Sequence, residues 1–148
     1  MGSFPDGVYR AQFPYYYRNP EGMPQEAALD YYLNSIKDVF EQCGPADSIA
    51  AIVVQPLQGE GGFIPAPIEW VKAVRKICDE NGILLVADEV QTGFCRTGRM
   101  FATQYWEEAG VQPDILATAK SIAAALKTIE IMERDDLAGR SCEIGEKV

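Results

Sequence analysis

Apolar positions follow helical and strand periods in alternation from residue 25 onward. Between Gln25 and Gln42, Leu29, Tyr32, Leu33, Ile36, Val39 and Phe40 recur at three- and four-residue spacing, which predicts an amphipathic helix stopped by Gly44 and Pro45. Residues 49–54 form a short unbroken run rich in isoleucine and valine, the pattern of a parallel strand buried on both faces. After the glycine-rich loop Gly59-Glu60-Gly61-Gly62, residues 68–79 carry Ile68, Val71, Val74, Ile77 and Cys78 on one side of a second helix, with Gly82 in place to cap it. Residues 83–87 predict a second buried strand. Residues 100–109 predict a helix ended by Gly110, residues 114–118 a third short strand after Pro113, and residues 122–137 a closing helix.

Strand, helix and strand in that order make a right-handed crossover, so the expected class is α/β, with a mostly parallel sheet flanked by helices. The segment before residue 25 differs. Residues 5–24 place Tyr9, Phe13, Tyr15, Tyr16 and Tyr17 among Pro5, Pro14, Pro20 and Pro24, which suits an extended, turn-rich stretch lying over another element. No repeat, low-complexity tract or linker divides the 148 residues, so a single domain is expected.

Composition narrows the chemistry. Thirteen basic and twenty-two acidic residues give a net charge of −9, which opposes binding to nucleic acid. No apolar run approaches the roughly 20 residues of a membrane helix, and the first ten residues lack the pattern of a signal peptide. The expected location is the cytoplasm, with a mitochondrial full-length parent left open. Cys43, Cys78, Cys95 and Cys142 form no Cys-x-x-Cys pair and there is no histidine, so no metal site is expected. The missing imidazole also removes Ser-His-Asp and Cys-His catalysis. Carboxylates, lysine, cysteine or a cofactor must carry any reaction.

In open α/β sheets ligands bind beyond the carboxyl ends of the strands. Residues 55–62, residues 88–93 and Lys120 arrive at that edge after the three predicted strands. The pair Asp88-Glu89 after an apolar run also describes the acidic strand end of an ATPase, but that site needs a Gly-x-x-x-x-Gly-Lys-Ser/Thr loop and none occurs. A plainer reading has both carboxylates capping the next turn. Cys78 and Cys95 are assigned to packing, and Arg96 and Arg99 to structural or surface charge.

The stretch from Leu85 through Ala87-Asp88-Glu89-Val90-Gln91-Thr92-Gly93-Phe94 to Arg99, followed by Pro113-Asp114-Ile115-Leu116-Ala117-Thr118-Ala119-Lys120-Ser121, resembles the cofactor motif of the class III pyridoxal-phosphate-dependent aminotransferases. Gln58-Gly59-Glu60-Gly61-Gly62-Phe63 resembles a second motif of that family. Phe4 to Gly22, with Pro14-Tyr15-Tyr16-Tyr17-Arg18, resembles the segment before the first helix in 4-aminobutyrate-type members.

The resemblance implies part of the large domain of a fold-type I transferase, with pyridoxal 5'-phosphate as cofactor and an amino donor and a 2-oxoacid as substrates. It implies that Lys120 joins the cofactor aldehyde and later carries a proton, making it the catalytic residue. Asp88 would face the pyridine nitrogen and keep it protonated. Val90 would pack on the ring face if the chain stays extended, and Gln91 would donate to the phenolic oxygen. Glu60 is the substrate-side candidate: in relatives that handle ω-amino acids a glutamate here pairs with an arginine that can also bind a 2-oxoacid. No matching arginine segment occurs in this sequence, and a loop carboxylate satisfied by backbone N–H groups is the plainer reading of Glu60.

Members of the family are several times longer and usually homodimeric. Against them the phosphate-binding Gly-Ser/Thr loop and the small C-terminal domain are expected to be absent, so residues 1–148 constitute one partial large domain. Lys120-Ser121-Ile122-Ala123-Ala124 runs directly into Ala125-Leu126-Lys127-Thr128-Ile129, which resembles a later helix, and an internal deletion is expected there. Two accounts therefore stand: a piece of a transaminase with little activity alone, or a non-catalytic interaction module that keeps only the cofactor-anchoring core.

Overall fold

The computed structural model describes residues 6–119 and 125–147. Three strands form a parallel sheet in the order β1 (Ala51–Val54), β4 (Leu84–Asp88), β5 (Ile115–Ala117), with Val54 opposite Ala87 and Asp88 opposite Ala117. The central strand is therefore the one that ends in Asp88. Helix α1 (Gln25–Gln42) has the predicted bounds, and α2 (Ile68–Asn81) ends on Gly82, whose φ of 67° is the left-handed conformation glycine adopts without strain. Trp70, Val71, Val74 and Cys78 of α2 share one core with Ala28, Tyr32 and Ile36 of α1 and with Val54, Leu85 and Ala87 of the sheet.

Among the described residues β1 and β4 are covered on one face only, and the expectation of strands buried on both faces is corrected. Leu85 and Ala87 are fully buried, whereas Leu84 beside them is 44% exposed, Val53 is 65% exposed and Ile115 is 47% exposed. The register aligns Val53 with Val86 and Val86 with Ile115, so these exposed side chains share one face. An apolar run predicts a strand but not the number of layers around it.

Residues 6–24 lie over the helices, as expected. The Tyr32 hydroxyl lies 3.1 Å from both the Tyr15 carbonyl and Asn19 Oδ1, which share its one proton, and the Phe13 and Trp70 rings meet at 5.7 Å between centroids. Further differences concern short elements. The glycine loop is the tip of a small antiparallel ribbon, β2 (Leu57–Gln58) with β3 (Ile64–Pro65), and α3 is shorter than predicted, at Thr103–Glu108. The single closing helix predicted over residues 122–137 is instead two, α4 (Ala125–Arg134) and α5 (Leu137–Gly145). Asp136 separates them: its φ of 45° breaks the helical path, and its side chain accepts from the Gly139 N–H to start α5.

Candidate active site

The carboxyl end of β4 carries four consecutive residues of the predicted site region, and the structure gives each a separate place. Asp88 ends the strand, half-buried, on the exposed face of the sheet. Its Oδ1 accepts from the Val90 N–H at 3.0 Å, which orients the carboxyl group, and no hydrogen bond to Oδ2 is found among the described residues. That bond also means that the chain turns. The extended continuation from Asp88 to Val90 is corrected, and the Val90 side chain lies 42% exposed on the turn.

Glu89 points the other way and is wholly buried. Its Oε2 accepts from Thr92 Oγ1 and its Oε1 from the Thr103 N–H at 2.7 Å, which satisfies the first residue of α3 where Ala102 has no side chain able to cap. The capping reading of the acidic pair thus holds for both residues, although the two carboxylates cap different elements. Gln91 is exposed, yet its carboxamide rests directly on Gly59: a methyl group at Gly59 would overlap the Gln91 side chain. The ribbon tip and the turn after β4, 32 residues apart in sequence, therefore meet side by side. The lack of a side chain at Gly59 makes the meeting possible.

Lys120 lies outside the described residues, as does the expected deletion seam at residues 120–124. The strand leading to Lys120 is paired in register with β4, and the Glu89 N–H donates to the Ala117 carbonyl at 2.8 Å. Glu60 stands exposed on the ribbon tip, and no hydrogen bond or ion pair to its side chain is found among the described residues. Its neighbour Gly59 touches Gln91; Glu60 itself is not brought against Asp88 by any contact found.

Two residues with structural roles escaped the sequence reading. Asp114, at the opposite end of the sheet, accepts from the Leu85 N–H and from Arg75 Nη1, both at 2.7 Å, and so ties α2 to β4 and β5. The Arg75 guanidinium, and then the Leu85 N–H, hold the Asp114 carboxyl below the usual aspartate range. Glu89 is the second: a cap on the next turn was expected of it, but not its reach to the Thr103 N–H at the start of α3. Burial pushes the Cys78 thiol up to about 11 and raises that of Cys95, which suits packing and not nucleophilic chemistry. Arg99 pairs with Glu108 at 2.8 Å and lies over the Tyr105 ring, a structural role of the kind expected for it. No helix among the described residues is long and apolar enough to cross a membrane.

This architecture, a parallel sheet flanked by helices with an acidic strand end beside a glycine ribbon, is that of part of an α/β transaminase fold. The chain belongs to the family described as Aminotransferase class-III, which it matches over residues 1–146. It is 40% identical to the probable 4-aminobutyrate aminotransferase of Bacillus subtilis, over 93% of this chain and 31% of that protein. It is 37% identical to the 5-aminovalerate aminotransferase DavT of Pseudomonas putida, over all of this chain and 41% of that protein. Among solved structures, a PLP-bound amine transaminase from an uncultivated Pseudomonas species superposes with a TM-score of 0.83 at 30% identity, covering 99% of this chain and 42% of that one. The chain thus spans less than half the length of these relatives. The DavT comparison runs over 183 positions against 148 residues here, so at least 35 of its positions have no counterpart in this chain.

The described residues fit pyridoxal 5'-phosphate by the chemistry of their donor set. A carboxyl group with one oxygen uncommitted, an exposed apolar side chain and a carboxamide backed by a glycine follow one another at a single strand end.

Proposed function

We propose that this chain is the cofactor-anchoring part of a pyridoxal-phosphate-dependent transaminase that moves an amino group from an ω-amino acid or similar amine, such as 4-aminobutyrate, to a 2-oxoacid. The observation that carries the reading is the strand end itself, with Asp88, Val90 and Gln91 in sequence and the Gln91 carboxamide seated on Gly59. The names of the two relatives above, both transaminases of ω-amino acids, support the substrate class.

Pyridoxal 5'-phosphate, when bound, supplies an electron sink for charge developing on the substrate carbon. Asp88 holds a proton on the pyridine nitrogen, which the bond from the Val90 N–H prepares it to do by fixing the carboxyl group. Val90 offers its apolar side chain to the ring, and Gln91 donates to the phenolic oxygen. Lys120 anchors the aldehyde carbon and moves the proton at the substrate carbon. Glu60, exposed on the ribbon tip beside Gly59, would meet a cation on the substrate side. A homodimer in the cytoplasm, with neither nucleic acid nor membrane as partner, completes the reading. Because the chain spans 31% to 41% of its relatives, negligible turnover is expected of this polypeptide by itself.

Incubation with pyridoxal 5'-phosphate followed by borohydride and peptide mapping tests the proposal. The reduced adduct is expected on Lys120, since a specific adduct needs a lysine held against a docked ring. Equal labelling of the exposed Lys37, Lys72 and Lys127 would overturn it.

A further inference from the structure

Gln91 is exposed and makes no hydrogen bond of its own among the described residues, so its place on Gly59 must come from the backbone that carries it. That backbone is the turn over residues 89–93, and Glu89 ties it on every side. The Glu89 N–H donates to Ala117 at 2.8 Å, and its carbonyl accepts from the Gly93 N–H at 2.9 Å. Its side chain reaches forward to Thr92 Oγ1 and to the Thr103 N–H. One residue thereby joins β5, the turn and the start of α3. Gly93 closes the turn tightly: a methyl group there would stand 2.9 Å from the Glu89 carbonyl oxygen and 3.4 Å from the Phe101 ring.

A carboxyl group this deeply buried is costly unless hydrogen bonds replace its water. No ion pair to Glu89 is found among the described residues, so the hydroxyl of Thr92 and the N–H of Thr103 do that work. A longer apolar side chain at this position would fill the same space but leave the Thr103 N–H buried without an acceptor. A carboxylate, with acceptors on both oxygens, suits a position between a hydroxyl and a helix start.

We propose that Glu89 is a positioning residue: it fixes the 89–93 turn so that the Gln91 carboxamide is seated on Gly59. Resting on the function proposed above, this clamp sets the placement of Val90 and Gln91 against the cofactor. Glu89 touches neither cofactor nor substrate and acts through its two neighbours on the turn.

The test is a nuclear Overhauser contact between the Gln91 side-chain amide protons and Gly59 Hα, measured on the isotope-labelled full chain. Thr92→Val and Glu89→Ala each remove part of the clamp, while Val74→Ala, in the buried core of α2, serves as a control for general loss of stability. The contact is expected in the wild type and in Val74→Ala. In Thr92→Val it should weaken roughly tenfold or more, the scale of a lost hydrogen bond to a charged group, and in Glu89→Ala at least as much. Should Glu89→Ala not fold, Thr92→Val decides. Absence of the contact in the wild type, its persistence in Thr92→Val, or an equal loss in Val74→Ala would each overturn the proposal. Borohydride labelling of Lys120 in the same samples separates the two readings. A wild type that shows the contact but takes no adduct supports the clamp and sinks the cofactor assignment. Where the adduct forms, Thr92→Val should raise the half-saturating concentration of pyridoxal 5'-phosphate roughly tenfold.

Discussion

The two faces of the three-stranded sheet are made of the same aliphatic residues in alternation, yet one is packed under α2 while the other meets solvent. Leu85 and Leu84 are neighbours of one residue type on one strand; the first is fully buried and the second is nearly half exposed. The register carries the exposed side along β4 to Asp88, so the open face and the candidate site are continuous. Asp88, half-buried on the same side of β4 as Leu84, therefore belongs to the open face and not to the packed core.

The largest effect that tests this contrast comes from truncating each leucine in turn. Leu85→Ala should cost about 2–5 kcal/mol, as removal of a fully buried side chain leaves a cavity, whereas Leu84→Ala should cost less than about 1 kcal/mol. Urea unfolding followed by circular dichroism reads both. Similar costs would mean that the second face is covered in solution and would break the comparison.

A smaller effect sharpens it at the far end of the sheet. Asp114 accepts from the N–H of Leu85, the residue at the heart of the packed face, and pairs with Arg75. Asp114→Ala should cost about 1–2 kcal/mol at neutral pH, mostly from the backbone donor left without its acceptor, because the ion pair is partly exposed and screened. The pH dependence has a definite sign. The carboxyl is held below its ordinary value in the folded chain, so its contribution is present above the unfolded aspartate pKa of about 3.9 and is lost as pH falls through the lower folded value. The gap between wild type and Asp114→Ala, measured as unfolding midpoint against pH, should narrow over that acidic range and stay constant above about pH 5. A gap that is the same at pH 2 as at pH 7 would remove Asp114 from the account.

Periodicity carried the long elements. The predicted bounds of α1 match the structure, α2 differs by one half-turn, and the three strands fall within two residues of their predicted spans. Asp88, Val90 and Gln91 were singled out because the residue types along that stretch resemble a family motif over many positions, and the structure places all three at or just after the end of β4. What the sequence concealed was long-range. Nothing local in Leu84 and Leu85 says which one a helix will cover, since both satisfy the same strand pattern. The break at Asp136 was hidden because the apolar spacing continues across it, while the cause is one aspartate in a left-handed conformation. Glu89 was hidden because its acceptor role depends on Thr103, fourteen residues onward and brought back by the fold. The same holds for Gly59 against Gln91. A loop glycine reads as flexibility until the side chain that needs its space is known.

The smallest effect on the folded chain, and the most direct probe of the open face, is expected from making that face more polar while keeping β-branched residues on it. Val53→Thr and Ile115→Thr together keep two β-branched residues on the outward side of β1 and β5, so the strands should form as before. Val53 is 65% and Ile115 47% exposed, so little burial is lost, and unfolding in urea should show a change of less than about 0.5 kcal/mol in stability. The consequence should appear instead in association. A contiguous apolar surface beside unpaired strand edges favours contact between chains, and two hydroxyl groups on it oppose that contact. Sedimentation velocity over a range of protein concentrations should show less association in the double variant than in the wild type, at equal fraction folded. An unchanged association together with a large loss of stability would mean that Val53 and Ile115 are packed in solution, and the distinction between the two faces would have to be given up.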